Sequence, residues 1–199
     1  MEHQIIAAFD NEGVFVYQAF NHHIADEALR QGTFGRQFKL TRMTWIKPSF
    51  GWMLYRSQYA TQSEQERILK IKVSRSGFER IVAKGIPTTF KPVLFESIAA
   101  WRRALQTSEV RYQWDPDRDL YLRPLSQRAL QLGLSGETVK AYIKDWIIAL
   151  EDVTPLAHEI QDAVRQNRFE LPAVPMEKVY PAEAPWLGAP PFLRNSVQS

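Results

Sequence analysis

Cysteine is absent from this chain of 199 residues. That excludes disulfides and thiolate metal sites, and it fits a reducing compartment. Histidine is scarce, with four residues. His22 and His23 are adjacent and point to different sides of any helix, while His3 and His158 are isolated, so surface histidines and no metal site are expected. Long apolar runs are missing too. The longest, Trp146 to Leu150, falls far short of the roughly 20 residues that span a bilayer. The opening MEHQIIAAFDNEG lacks the basic start and apolar run of a signal peptide. A soluble, cytoplasmic protein is expected. There is no Walker A loop, no nucleophile elbow and no dinucleotide glycine fingerprint, since GTFG at 32–35 has the wrong spacing.

What is present is aromatic and mildly basic. Six Trp and seven Tyr are many for this length, and Lys plus Arg exceeds Asp plus Glu by 25 to 22. Such a balance permits a polyanionic partner without demanding one.

Residues 4–9, QIIAAF, read as a strand, DNEG as a turn, and VFVYQAF at 14–20 as a second strand of a hairpin. Asn21 has the chemistry of an N-cap for a helix that Gly32 ends. A strand within 36–47 closes at Pro48, which can open a helix to about residue 59. ILKIKV, 68–73, alternates as a half-buried strand. Ser76 and Glu79 have capping-box spacing ahead of a helix closed by Gly85. Residues 86–95 are irregular, and 97–105 read as a short helix. EVRYQW, 109–114, is a strand ending at the turn DPDRD, and RALQLGL, 128–134, is another strand. Val139, Tyr142, Ile143, Trp146, Ile147 and Leu150 recur at three- and four-residue spacing and predict one helix packed by that face. Thr154 caps the next helix, with Pro155 at its first position. The irregular order of strands and helices predicts an α+β fold: one domain over 1–168, with a mixed or mostly antiparallel sheet and flanking helices. Residues 169–199 form a proline-rich arm outside the core, with Tyr180, Trp186 and Phe192 available to pin it.

Three stretches could carry chemistry. RMTWIKPSFGWMLYRS, 42–57, holds Arg42, Lys47 and Arg56 with no acid, alongside Trp45, Phe50, Trp52 and Tyr55. Guanidinium forks and an ammonium suit phosphate, and rings stack on bases. A helix beginning after Pro48 would add its positive end beside Lys47 and Ser49. The plain alternative has Phe50, Met53 and Leu54 in the core and the cations reaching to solvent. The second stretch is YQWDPDRD, 112–119, where Asp115 and its neighbours either serve as base, metal ligand or ribose clamp or simply cap their own turn. The third is SEQER, 63–67, where Glu66 is either a catalytic carboxylate or a solvated one.

VYQAF, RMTWIKPSF, WMLYRS, QERIL, QWDPDRD, QLGLSGE and EDVTP together resemble the bacterial and fungal family catalogued as domain of unknown function 4291, over roughly residues 4 to 165. Two departures stand out. The family pattern has an Arg before an Ala-x-Tyr-Asp near the start, where this chain reads IIAAFD, so Ile6 and Phe9 occupy those places. Asp117 stands where a Glu usually follows Trp-Asp-Pro.

Two function classes follow. In the first, the chain is a nucleotide-using enzyme resembling ADP-ribosyltransferases, which fold NAD into the cleft of a split α+β sheet. That resemblance implies NAD as cofactor, binding by Tyr17, Arg42, Trp45, Lys47, Ser49, Tyr55 and Arg56, and catalysis by Glu66 with Asp115 as substitute. In the second, the same cations and rings bind a nucleotide or nucleic acid without chemistry.

Overall fold

The computed structural model describes residues 4–181. Asp10 closes the first turn, its carboxylate accepting from the backbone N–H groups of Glu12 and Gly13 at 2.9 and 3.0 Å. The short β1 (Ile6–Ala7) precedes that turn and β2 (Gly13–Phe20) follows it. Asn21 caps α1 (His22–Gln31) by accepting from Ile24 N–H, and Gly32 ends it in the left-handed region. Then come β3 (Thr44–Ile46), α2 (Phe50–Ser57), β4 (Arg67–Ser74), α3 (Arg75–Ala83), β5 (Ile86–Pro87) and α4 (Ile98–Thr107). β6 (Val110–Arg118) and β7 (Pro124–Leu134) form a long hairpin. After α5 (Gly136–Ala141), a π turn at Tyr142–Trp146 leads into β8 (Ile147–Asp152), and α6 (Thr154–Arg165) and β9 (Lys178–Val179) follow.

This is a single α+β domain. Its strands form a three-stranded antiparallel sheet, β2-β4-β8, a four-stranded sheet, β3-β7-β6-β5, and a small pair, β1-β9. All pairings are antiparallel except β5 with β6. Where β3 ends, Lys47 bridges Tyr17 of β2, so the larger sheets meet edge to edge there. The main core lies under these sheets, around Val14, Val16, Leu69, Ile71, Phe78, Leu132 and Tyr142. A second cluster, around Tyr17, Phe50, Met53, Leu54 and Ile160, seats α2 and α6.

Several sequence expectations change. The apolar spacing from Val139 to Leu150 does not make one helix. The helix ends in the π turn at Trp146, and Ile147 starts a strand because the open edge of β4 takes its backbone bonds. DPDRD is not a turn from its first residue, since Asp115 to Arg118 continue β6 opposite β7 through a register shift. The edge bulge accommodates Pro116, which has no N–H to donate. α2 begins after Ser49, not at Pro48. Ser74, not Ser76, caps α3, and Thr154 is the first residue of α6, its hydroxyl accepting from Ile68 N–H at 2.9 Å. Ile6 and Ala7 pair with β9, while Phe9 keeps one bridge of the expected hairpin to Val14. Tyr180 belongs to the core, 2% exposed and edge-on to Phe9 and Phe78. Trp186 and Phe192 lie outside the described residues.

Candidate functional site

A cavity of about 550 Å³ opens at the junction of the two larger sheets. β2 contributes Gln18, β3 and its end contribute Trp45 and Lys47, α2 contributes Trp52 and Arg56, and the β6–β7 hairpin contributes Gln113, Asp115 and Gln131. Arg42, just before β3, completes the wall. The acid-free stretch thus does bring its three cations to one concave surface.

Lys47 is the unusual member. It is 7% exposed, and its Nζ donates to the carbonyl of Trp45 at 3.2 Å. Among the described residues no carboxylate lies within ion-pair reach of Lys47, Arg42 or Arg56. Burial, then the nearby Arg56, pulls the Lys47 ammonium down to about 8, and Asp115 opposes them. A buried cation without a partner is costly, and an anion entering the cavity would remove that cost.

Asp115 is the one carboxylate on the wall among the described residues. Gln113 donates to its Oδ2 at 2.9 Å, and Gln131 donates to the same oxygen. Gln113 and Asp115 are two apart in β6 and share a strand face. The amides fix the carboxylate through Oδ2, and Oδ1 accepts from no described residue. Gln18 is 3% exposed, donating to Thr44 Oγ1 at 2.6 Å and accepting from the Tyr142 hydroxyl at 3.0 Å. Trp52, also on the wall, has a buried indole N–H without a partner among the described residues. Among the described residues no group of three or more His, Asp or Glu could hold a metal ion.

Of the sequence candidates, Arg42, Trp45, Lys47, Arg56 and Asp115 come together here. Four others do not line the cavity. Tyr17 is fully buried in the second core cluster against Phe50, because its side chain leaves β2 on the α2 side. Tyr55 lies under Arg118, whose guanidinium sits 3.9 Å from the ring centre. Glu66 turns back onto its own loop and accepts from Glu64 N–H at 2.8 Å.

Ser49 is the most instructive of the four. Its hydroxyl accepts from Trp52 N–H at 3.1 Å and donates to buried Asp117 at 2.6 Å. Glu177, from the segment before β9, accepts from Phe50 N–H at 2.6 Å. The positive end of α2, expected to receive a phosphate, already holds a carboxyl group of the chain itself. Burial pushes the Glu177 carboxyl up to about 8, and nearby Asp117 adds to this.

The glutamines were missed as site residues. The available signal was a polar amide at the inward position of an apolar strand, Gln18 in VFVYQAF and Gln131 in RALQLGL. Gln113 carried no comparable signal.

Beyond the junction, a second cavity of about 520 Å³ shares Ala19, Phe20, Arg42, Met43, Thr44 and Gln65 with the first. Fold and site define an α+β protein with a split sheet and a cationic, glutamine-lined cleft at the split. The chain belongs to the family described as Domain of unknown function (DUF4291), whose family model matches residues 4–180. No match to the chain was found among curated proteins.

Proposed function

We propose that the cleft binds NAD through its phosphates and transfers the ADP-ribosyl group. The observation that carries this reading is Lys47, a buried cation without a carboxylate partner among the described residues, on one wall with Arg42 and Arg56. Ammonium and guanidinium groups held out of water are suited to phosphate oxygens. Trp45 and Trp52 offer ring faces, and the free indole N–H of Trp52 offers one more donor. The split between two sheets agrees with the cleft expected from the resemblance to ADP-ribosyltransferases.

In the reaction, the bond between C1′ of the ribose and the nicotinamide nitrogen breaks. Nicotinamide leaves with the bonding pair as a neutral molecule. The ribosyl cation that develops is stabilised by the Asp115 carboxylate, and an acceptor attacks C1′ and loses its proton. Asp115 takes the role that the sequence first suggested for Glu66, because Asp115 is the acid on the cavity wall.

Calorimetric titration with NAD and ADP-ribose, with nicotinamide release followed by chromatography, tests this. Arg42→Ala should weaken binding roughly ten- to a hundredfold, the loss of a charge-assisted contact of about 1.5–3 kcal/mol. Asp115→Asn should bind NAD as before and release no nicotinamide, since the carboxylate acts on charge that appears only in the transition state. Binding without release by the parent protein would favour a non-catalytic nucleotide- or nucleic-acid-binding module. That Asp115 is the one wall carboxylate among the described residues is the observation favouring that alternative. Absence of NAD and ADP-ribose binding would refute the transferase, and absence of single-stranded DNA and RNA binding as well would refute both.

A further inference from the structure

The second cavity asks for an occupant of its own. It lies across Arg42 from the first and is of similar size, about 520 against 550 Å³, each within the range of a small-ligand pocket. Its chemistry differs. Lys47, Asp115, Trp45, Trp52 and Arg56 line only the first cavity. The second has an apolar side built by Phe20, Ile24 and Phe38, with the Phe20 and Phe38 rings 5.9 Å apart and Phe38 stacked on Phe34. Gln37 and Gln65 are on the same wall, Gln65 shared with the first cavity, and the one acid there among the described residues, Glu64, accepts from the Asn21 amide at 2.8 Å. Both glutamines are anchored through their backbones, Gln37 N–H by the Glu27 carboxylate at 2.8 Å and Gln65 N–H by the Gln62 carbonyl at 3.0 Å. Neither amide is engaged by another described residue.

We propose that the second cavity is an adenosine subsite, and that one dinucleotide spans both cavities with its diphosphate at Arg42. This rests on the reading above and gives it a direction. The group whose glycosidic bond breaks must lie beside Asp115, in the first cavity, so the inert half extends across Arg42. A lining that combines apolar rings with glutamine amides unengaged by other described residues suits adenine, whose N6 amino group and N7 match a side-chain amide acceptor and donor. Arg42 stands on the shared wall, exposed and without a carboxylate partner among the described residues, where the phosphates of such a ligand would pass.

The test uses the full chain with three probes: nicotinamide mononucleotide, AMP and NAD. Gln37→Trp obstructs the second cavity from an exposed position, and Lys39→Trp repeats the obstruction from a neighbouring exposed site. Arg56→Ala removes a cation of the first cavity only. Melting curves establish that each variant folds. Either tryptophan variant should lower AMP and NAD affinity by about tenfold or more while leaving nicotinamide mononucleotide within about twofold. Arg56→Ala should do the reverse to the two mononucleotides. If NAD binds and releases nicotinamide but both tryptophan variants leave AMP and NAD affinity unchanged, or weaken the two mononucleotides equally, the subsite is wrong and the nucleotide reading survives. If none of the three probes binds the parent protein, both fall.

Discussion

Lys47 sets binding against folding. Its ammonium is enclosed without a carboxylate partner among the described residues, so it destabilises the fold while serving the cavity. Lys47→Met should therefore raise stability by on the order of 1 kcal/mol, a rise in Tm of about 2–4 °C for this size. The same variant should lose nucleotide affinity, and calorimetry beside thermal melting reads both. Glu177 and Lys47 also make stability depend on pH in opposite directions. Between the ordinary glutamate value of 4.5 and about 8, folded Glu177 keeps a proton that the unfolded chain has released, so stability falls as pH rises. Between about 8 and 10.5, folded Lys47 has released a proton that the unfolded chain keeps, so stability rises with pH. One proton limits either slope to about 1.4 kcal/mol per pH unit. Urea unfolding at pH 5, 8 and 10 should show the first slope missing in Glu177→Gln and the second missing in Lys47→Met.

Among the elements, the π turn joins α5 to β8 and carries Trp146, 9% exposed, against α3. A Cβ on Gly77 would come within 2.5 Å of the Trp146 ring, so α3 reaches this indole only through glycine. Trp146→Ala should cost about 3–5 kcal/mol, measured by denaturant unfolding. Gly77→Ala should cost about 1–3 kcal/mol by overpacking the same contact. This element also shows where reading the sequence stops. Apolar residues at 139, 142, 143, 146, 147 and 150 fit a helix, yet a strand over 147–152 shows its own alternation only when β4 is there to pair. Caps were easier: Asn21 and Gly32 act within their own turns and bound α1 as expected. Lys47, Arg42 and Arg56 were visible as cations without acids. Asp115 was visible as a candidate carboxylate but placed in a turn, because the pairing with Ala129 that keeps it in β6 depends on a partner across the hairpin. Glu177 was not legible as a helix cap at all, being 127 residues from Phe50, whose N–H it accepts.

At the scale of the molecule, the segment after α6 closes the fold. It supplies Glu177 to α2, β9 to β1, and Tyr180 to the core, where the phenol hydroxyl bonds Glu79 at 3.0 Å. A chain ending at Pro175 loses all three, and we expect a destabilisation at least as large as that of Tyr180→Ala alone, about 3–5 kcal/mol. Equal melting curves for the truncated and full chains would contradict this. The junction of the two larger sheets has one further consequence. Tyr17 and Lys47 exchange both backbone bonds, Tyr17 N–H to the Lys47 carbonyl at 2.7 Å and Lys47 N–H to the Tyr17 carbonyl at 3.2 Å. The residue whose side chain faces the cavity therefore also holds the seam in its main chain. These two amide protons are a built-in sensor: their exchange with heavy water reports how often the seam opens, and a ligand gripping Lys47 should slow it without any label being attached.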